Sequence, residues 1–393
     1  DVPEELSPYV DYANLIDLMD FKSTAFNKVL KSKGEEYKFD SKYPLEKLKS
    51  ICESIIAGGD KPTNMTDSMT ETNRIPVYAN GTEKNGLLGY TNEARITKPS
   101  VSISARGTLG YCVYHETPFF PIVRLIVAIP SQIVIPQYLK LVLDCVEFVN
   151  EGSNIPQLSV PKVGEYKIPL PPLSIQQEIV NECVIVDEKA KEKDKRMNEI
   201  VEEMKDIRNN ITGETKRLKN IISFTTDRIA YNEIIPESFI TTDNMLQNYE
   251  GIRSYNGEPE VQSVIKYREG DILLSNIRPY LKKMWLADRD GGCNPDVLVL
   301  RCNDDKIVDS TFLYYLLRNS DFFDYIMEDV KGLKMPRGKK EHIENYELRL
   351  PSLEEQQKLS KAFADLDMEL ISLKEEKQTV PKQKQAILDK YLK

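Results

Sequence analysis

The chain has 393 residues, of which 40% are hydrophobic and 29% charged, and its formal net charge is −9. This composition predicts about two to four globular domains and excludes a protein coated in positive charge, although it allows a local basic cleft. The longest apolar run, residues 121–130, contains Arg124 and is too short for a transmembrane helix. Six scattered cysteines without a CxxC pair, with only two histidines, argue against structural zinc and fit a reducing cytoplasm.

The chain opens with an acidic segment, residues 1–40, whose net charge is −4. We treat this segment as separate from the domains that follow, with a helix as one option for its structure. A β-rich segment, residues 41–168, comes next, because β-type runs alternate there with turn signals such as Asn80-Gly81 and Arg106-Gly107. Its predicted strands are residues 75–79, 101–105, 111–115 and 123–129, and a short helix is predicted over 136–149.

Residues 169–215 are predicted to form a long helix. Apolar residues recur at alternating spacings of four and three from Ile179 to Ile211, interrupted by Lys193, and Gly213 supplies a C-terminal cap. A narrow stripe kept over so many turns indicates a coiled-coil seam.

A second β-rich segment covers residues 216–348 and leads into a second long helix, residues 349–393. Its predicted strands are residues 261–267, 271–275, 284–287 and 297–301, followed by a helix over 310–327. The last helix has the same four-and-three spacing from Leu359 to Tyr391, interrupted by Lys377 and Lys384. Pro381 predicts a kink or an end near Val380.

The two halves of the chain look like diverged copies of one unit. Residues 170–180 can be laid on residues 350–360, and Tyr166 then falls on Tyr346. Other matches occur in the same order, which favours duplication. We therefore predict an α+β fold of two β-rich domains, each followed by a long helix, with the two helices packed as an antiparallel coiled coil.

Two basic clusters lie in the second β-rich segment. Residues 331–340 carry a charge of +5 without an acid, and residues 278–283 place an aromatic ring among basic side chains. Exposed Lys and Arg on loops are suited to phosphate contact. The alternative is that both clusters are ordinary solvated turns.

Enzymatic functions find little support in the sequence. No GxxxxGK[ST] loop is present, and the nearest match to the Asn/Asp-Pro-Pro-aromatic motif of adenine methylation is residues 294–297, which fails at two positions. Asp296 with residues 304–306 imitates the acids and lysine of Mg-dependent nucleases, which leaves a nuclease as a minor alternative. A coiled-coil protein-binding scaffold without DNA binding is the other alternative.

Three motifs resemble the specificity subunit of type I restriction–modification enzymes. They are IPLPPLSIQQEI at residues 168–179, its second copy LPSLEEQQ at 350–357, and REGDILL at 268–274. The resemblance covers about residues 43–393. It implies that residues 41–168 and 216–348 are target-recognition domains, each reading half of a bipartite DNA sequence, and that residues 169–215 and 349–393 are spacer helices.

The resemblance also implies partners. A specificity subunit has no catalytic residues of its own; it positions adenine-methyltransferase subunits, expected here to number two, and restriction subunits join them. No cofactor or metal is expected on this chain, because S-adenosylmethionine, ATP and Mg belong to the partner subunits. An alternative for residues 1–40 is the end of a methyltransferase fused upstream, which would also account for a chain that begins at Asp1.

Base edges are read mainly by Arg, Lys, Asn and Gln, so such side chains in the two β-rich segments are the candidate DNA contacts. In the first segment the candidates are Asn80, Lys84, Asn85, Arg106, Gln157 and Lys162. In the second they are Arg253, Arg278, Lys282, Lys283, Lys334, Arg337, Lys339 and Lys340.

Overall fold

A computed structural model describes residues 39–149, 157–255, 257 and 261–393. The chain divides into two compact units: the first unit is residues 1–191 with 378–393, and the second unit is residues 192–377. The predicted acidic segment lies outside the described residues except for positions 39 and 40.

The first unit combines a four-stranded antiparallel sheet with a smaller three-stranded one. Its strands are β1 (Leu45–Lys47), β2 (Cys52–Ala57), β3 (Ile75–Tyr78), β4 (Leu87–Thr91), β5 (Ser100–Ile103), β6 (Cys112–His115), β7 (Phe120–Pro121), β8 (Ile126–Pro130) and β9 (Lys167–Pro169). Its helices are α1 (Leu48–Ile51), α2 (Pro136–Leu143), α3 (Val160–Glu165) and the first half of α4 (Leu173–Asn209). The sheet orders are β2-β8-β5-β6 and β4-β3-β7.

The second unit repeats the four-stranded sheet. Its strands are β10 (Glu214–Arg217), β11 (Ile222–Phe224), β12 (Arg228–Ala230), β13 (Phe239–Ile240), β14 (Ser263–Tyr267), β15 (Ile272–Ser275), β16 (Met284–Leu286), β17 (Gly291–Cys293), β18 (Val297–Cys302), β19 (Val330–Lys331), β20 (Arg337–Gly338) and β21 (Glu347–Leu350). Its helices are α5 (Ser310–Leu317), α6 (Ser320–Glu328), α7 (Lys340–Ile343) and α8 (Leu353–Gln378), and α9 (Val380–Leu392) ends the chain.

One frame underlies both units. The order β11-β18-β15-β16 reproduces β2-β8-β5-β6, and a two-stranded pair closes each frame, β1 with β9 and β10 with β21. Even the repeated tyrosines have the same role, because Tyr166 accepts a backbone hydrogen bond from Leu48 (2.9 Å) and Tyr346 accepts one from Leu218 (3.0 Å). The predicted duplication is confirmed.

The repeated Gln-Gln motif forms the same clamp in both units. Gln176 is fully buried; its Oε1 accepts from Ile135 N (2.8 Å), and its Nε2 donates to Ile133 O and Pro171 O. The equally buried Gln356 bonds in the same way to the backbone of residues 307, 309 and 351. Each clamp therefore fixes the start of a long helix to the segment just before the short helix that follows the sheet.

The long helices pair in an antiparallel manner within each unit. In the first unit α9 packs along the N-terminal half of α4, where Lys390 pairs with Glu182 at 2.6 Å. In the second unit α8 packs along the C-terminal half of α4, where Arg196 pairs with Glu369 at 2.7 Å. The predicted break near Val380 is confirmed, because α8 ends at Gln378 and α9 begins at Val380. No described helix is both long and apolar enough to cross a membrane.

Several predicted boundaries were wrong. Strand 123–129 begins only at β8, because Val123 and Arg124 have left-handed backbone angles that end a strand. Helix 310–327 is two helices, because Asn319 caps α6 by accepting from Phe322 N. Residues 331–340 are not a simple loop, since β19 and β20 pair as a short hairpin.

Candidate nucleic-acid interface

In the first unit, three turns come together and carry most of the predicted DNA contacts. We call residues 79–86, 104–111, 122–125 and Gln157 the first loop cluster. Asn80 joins two of the turns, because its Nδ2 donates to Val123 O and its Oδ1 accepts from Ala105 N, both at 2.7 Å. Arg106 Nη2 donates to Gln157 Oε1 at 3.0 Å, which ties residue 157 to the same surface.

The predicted DNA contacts of this cluster differ in their exposure and in the hydrogen bonds that their side chains form within the protein. Lys84 and Asn85 are exposed, and Asn85 Oδ1 accepts from the hydroxyl of Tyr111 at 2.8 Å. The amide oxygen and the amide nitrogen of Asn80 both form hydrogen bonds with the backbone, so this residue primarily stabilises the turns. Lys162 lies elsewhere, on α3, which packs against α1 rather than against the turns.

The second unit has a corresponding surface made by four segments. We call residues 241–253, 276–283, 294–296 and 330–340 the second loop cluster. The two predicted basic stretches meet there, since Ile277 and Arg337 form a β-bridge and Arg278 N donates to Pro336 O at 2.8 Å. Tyr249 N donates to Lys282 O at 3.0 Å, which joins residues 241–253 to them.

Backbone strain is concentrated in the two loop clusters. Among the described residues, every non-glycine with a left-handed φ lies in one of them: Lys84, Asn85, Val123, Arg124, Asn248, Tyr249, Arg278 and Lys282. Such conformations cost free energy and persist where the surroundings enforce them, most often at functional sites. Four of these residues were predicted DNA contacts from sequence alone.

Positive charge is partly compensated in the second loop cluster. Arg337 Nε contacts Asp296 Oδ1 at 3.2 Å, and Lys339 pairs with Asp329. Lys340 Nζ lies 5.4 Å from the centre of the Phe224 ring. Lys334 is exposed and forms no ion pair with a described residue, so its charge is available for binding.

Arg253, Arg278 and Lys283 form a compact basic group. Burial lowers the pKa of Lys283, and the positive charges of Arg253 and Arg278 lower it further, against the opposing effect of Asp243. The Lys283 ammonium donates to Thr242 O at 2.6 Å. Like charges held this close are attractive to a polyanion.

The REGDILL motif has a structural role. Asp271 is buried and forms a two-fold contact with Arg301, at 2.9 Å to Nε and 2.7 Å to Nη2. Its carboxylate also accepts from Arg268 N at 2.8 Å, which closes the turn before β15. The motif therefore marks the fold and not a DNA contact.

The acids behind the nuclease alternative are not gathered into one site. Asp296 pairs with Arg337, while Asp304 caps its own turn by accepting from Lys306 N. Within the part of the chain that the structure describes, no group of three or more His, Cys, Asp and Glu side chains is arranged to hold a metal ion.

Sequence reasoning missed Arg124 and Asn248, and it noted the aromatic ring of Tyr280 without naming that residue as a DNA contact. Tyr280 is exposed, and Arg124 lies in the same left-handed turn as Val123. A signal for Arg124 was present, because it was the charged residue that interrupted the apolar run 121–130.

Two consecutive stretches of the chain, residues 41–203 and 203–382, match the family described as type I restriction modification DNA specificity domain. The chain belongs to this family. Each DNA specificity domain contains one of the loop clusters and one copy of the shared frame.

Two relatives come from Mycoplasma pneumoniae (strain ATCC 29342 / M129), and both are named as type I specificity subunits. S.MpnORF507P is 35% identical over 148 residues, which are 38% of this chain and 39% of that relative. S.MpnORF89P is 31% identical over 145 residues, or 37% of this chain and 43% of that relative. The matched part thus spans about two fifths of the length of these curated relatives.

The fold of this DNA specificity chain is shared with a solved structure. The S subunit of a type I restriction–modification system from M. genitalium aligns with a TM-score of 0.57 over 91% of this chain and 98% of that chain. The sequence identity is 14%, so the likeness concerns the fold.

Proposed function

We propose that the chain is a non-catalytic DNA-recognition subunit that binds a bipartite, asymmetric duplex target through its two loop clusters. The observation that carries this proposal is that each DNA specificity domain gathers basic and amide side chains, together with all the left-handed non-glycine residues described, on one set of loops. Rigid loops with such side chains are suited to reading base edges.

The two half-sites are proposed to differ. The first loop cluster presents Lys84, Asn85 and Arg106, whereas the second presents a basic hairpin and the group around Lys283. A symmetric reader would match a palindrome, because the symmetry of a site follows that of the protein. Two readers of unlike chemistry in one chain instead favour two unlike half-sites with a gap.

The roles of individual residues within this proposal follow from their surroundings. The exposed cations Lys84, Lys334 and Lys340 and the half-buried Lys282 are assigned to phosphates, which position the protein without reading sequence. The remaining candidates from the sequence stay predictions as base or phosphate contacts, with Asn80 and Lys162 supported least by their positions.

The proposal includes partners. Adenine-methyltransferase subunits, two of them, and restriction subunits would assemble with this chain in the cytoplasm. S-adenosylmethionine, ATP and Mg would then be held by those partners. Support comes from the family match and from the type I specificity subunits to which the chain is similar.

Salt-dependent binding tests the DNA contact. The full chain is titrated with duplex DNA at several salt concentrations, as wild type and as the double variants Lys84→Ala/Arg106→Ala and Lys282→Ala/Lys334→Ala. Each lost phosphate contact should lower the slope of log affinity against log salt by about 0.9. The control Lys358→Ala/Lys361→Ala removes the same charge from α8 and should leave the slope of wild type.

Two outcomes would count against the proposal. If both loop variants matched the control in affinity and slope, the scaffold alternative without DNA binding would be preferred. If methylation mapping in cells containing the chain and its methyltransferase gave one continuous or palindromic motif, the bipartite asymmetric target would have to be abandoned.

A further inference from the structure

The turn of residues 122–125 in the first loop cluster has an unusual backbone. Val123 and Arg124 have φ values of 52° and 61°. A β-branched residue such as valine is rarely left-handed, because its side chain clashes with the backbone there. Both residues are nevertheless exposed, so the strain does not serve to bury an apolar side chain.

Neighbouring groups hold this turn in place. Val123 N donates to Gly59 O at 2.8 Å, Arg124 N donates to Gly58 O at 3.1 Å, and Val123 O accepts from Asn80 Nδ2 at 2.7 Å. The contact with Gly58 is close, since a Cβ there would come within 2.8 Å of Ile122 N. The turn is therefore rigid as well as strained.

The position of the turn suits recognition. β3 and β7 are parallel neighbours, so the turns that follow them leave the same edge of the sheet. One of these turns carries Lys84 and Asn85, and the other carries Arg124. The Arg124 guanidinium forms no ion pair and no side-chain hydrogen bond with the residues that the structure describes, so its donors are available.

The second unit has a turn at the corresponding place, but neither Pro295 nor Asp296 has a left-handed φ there. After β17, Asn294 N donates to Ile240 O at 3.0 Å, as Ile122 N donates to Tyr78 O at 2.9 Å after β7. Pro295 and Asp296 then occupy the places of Val123 and Arg124. The hydrogen bond that positions the turn is kept, while the backbone and side chains beyond it change, which is expected of a position that determines specificity.

We propose that Arg124 is a specificity-determining residue that reads a guanine in the half-site of the first unit. This inference rests on the proposed DNA contact of the first loop cluster. The arginine fork matches the O6 and N7 acceptors of guanine in the major groove, which no other base edge offers as a pair. A turn that is already rigid loses little conformational entropy on binding.

The test compares base preferences of the full chain, assembled with its methyltransferase, by selection from a randomised duplex library. The variants are Arg124→Ala, Arg124→Lys and the control Lys84→Ala, which removes a cation assigned to phosphate. In both Arg124 variants the preference for guanine should fall roughly 5- to 150-fold at one base pair of one half-site. The other half-site should be unchanged, and the control should weaken binding similarly on all sequences.

A fourth variant, Val123→Gly, separates recognition from folding. Glycine accepts a left-handed φ, so this variant should have a Tm at or above that of wild type while its discrimination at the Arg124 base falls, because the turn is less rigid. A purely structural turn would change Tm without changing base preference.

The outcomes distinguish this inference from the proposed function. An unchanged preference in the Arg124 variants, or a loss equal on all sequences, overturns base reading by Arg124. If the control still weakens binding, only this inference fails. If neither the control nor the Arg124 variants affect binding, the DNA contact of the first loop cluster fails with it.

Discussion

The two units share a frame but stabilise their polar interiors by different means. In the first unit His115 Nε2 and Ser102 Oγ lie 2.8 Å apart, with the imidazole stacked on Phe119. The second unit also buries ions, namely Asp271, which pairs with Arg301, and Asp367, which pairs with Arg318. The hydrogen bonds of the repeated motifs fix the frame, so the strands and loops inserted into it are free to satisfy buried polar groups independently.

The largest loss of stability is expected when the Asp271–Arg301 ion pair of the second unit is removed. Asp271→Ala leaves Arg301 with only its 3.4 Å contact to Asp227 and also removes the acceptor of Arg268 N, so it should lower the free energy of unfolding by about 4 kcal/mol. Trp285, the only tryptophan of the chain, is on β16, which pairs with the strand that follows Asp271, so its fluorescence reports this unit. The control is Glu269→Ala, which removes an exposed acid of the same turn. Equal losses of unfolding free energy in the two variants would show that the ion pair does not stabilise the second unit.

The two glutamine clamps should contribute equally to the stability of their units, because they belong to the frame that the units share. Gln176→Leu and Gln356→Leu each remove the side-chain partner of three backbone groups and should each cost about 3 kcal/mol. Hydrogen exchange, followed separately in each unit, measures both. The adjacent exposed residues provide matched controls, Gln177→Leu and Gln357→Leu, with little expected change. A large loss of stability at only one clamp would show that the two units do not depend equally on the shared frame.

Acid should destabilise the first unit through His115. Burial lowers the pKa of this imidazole to about 4, below its ordinary value of 6.5, so the folded unit holds it neutral. The associated stability is complete above pH 6.5 and is lost as the pH falls toward 4; at pH 5 the loss is about 2 kcal/mol. Unfolding of wild type and His115→Gln between pH 7 and 5 measures it, and parallel profiles would contradict the assignment.

The smallest effects are expected from the ion pairs between the long helices. Glu182→Gln in the first unit and Glu369→Gln in the second each remove a pair that is open to solvent, where water and salt screen the attraction. Neither variant should be separable from wild type in a thermal scan at 0.15 M salt. A marked drop in Tm for one of them would give that unit a dependence on surface charge that the other lacks.

Periodicity and repetition in the sequence were enough to predict the helices, the duplicated frame and most strands. They were not enough where side chains with similar patterns have different surroundings. Both glutamines of each Gln-Gln pair look alike in sequence, yet only the first is buried as a clamp. Val123 fits an apolar strand pattern, and its left-handed φ depends on contacts with residues 58, 59 and 80 that are distant in the chain.

The candidate DNA-binding surfaces were also only partly predictable from the sequence. Composition correctly indicated basic loops, and the structure brings most of them together. The pairing of Arg337 with Asp296 and of Lys339 with Asp329 was not predictable, because the partners are separated in sequence and meet only through the β19–β20 hairpin and its neighbours.

The membership of α9 in the first unit has a consequence for synthesis on the ribosome. Leu388 and Leu392 are buried in the core that also contains Ile179 and Cys183, so this core lacks part of its apolar surface until the C-terminal residues emerge. At about 5–20 residues per second, the roughly 200 residues after position 191 take some 10–40 s to be made. The second unit, whose residues are contiguous, can finish folding first, and the N-terminal unit is completed last.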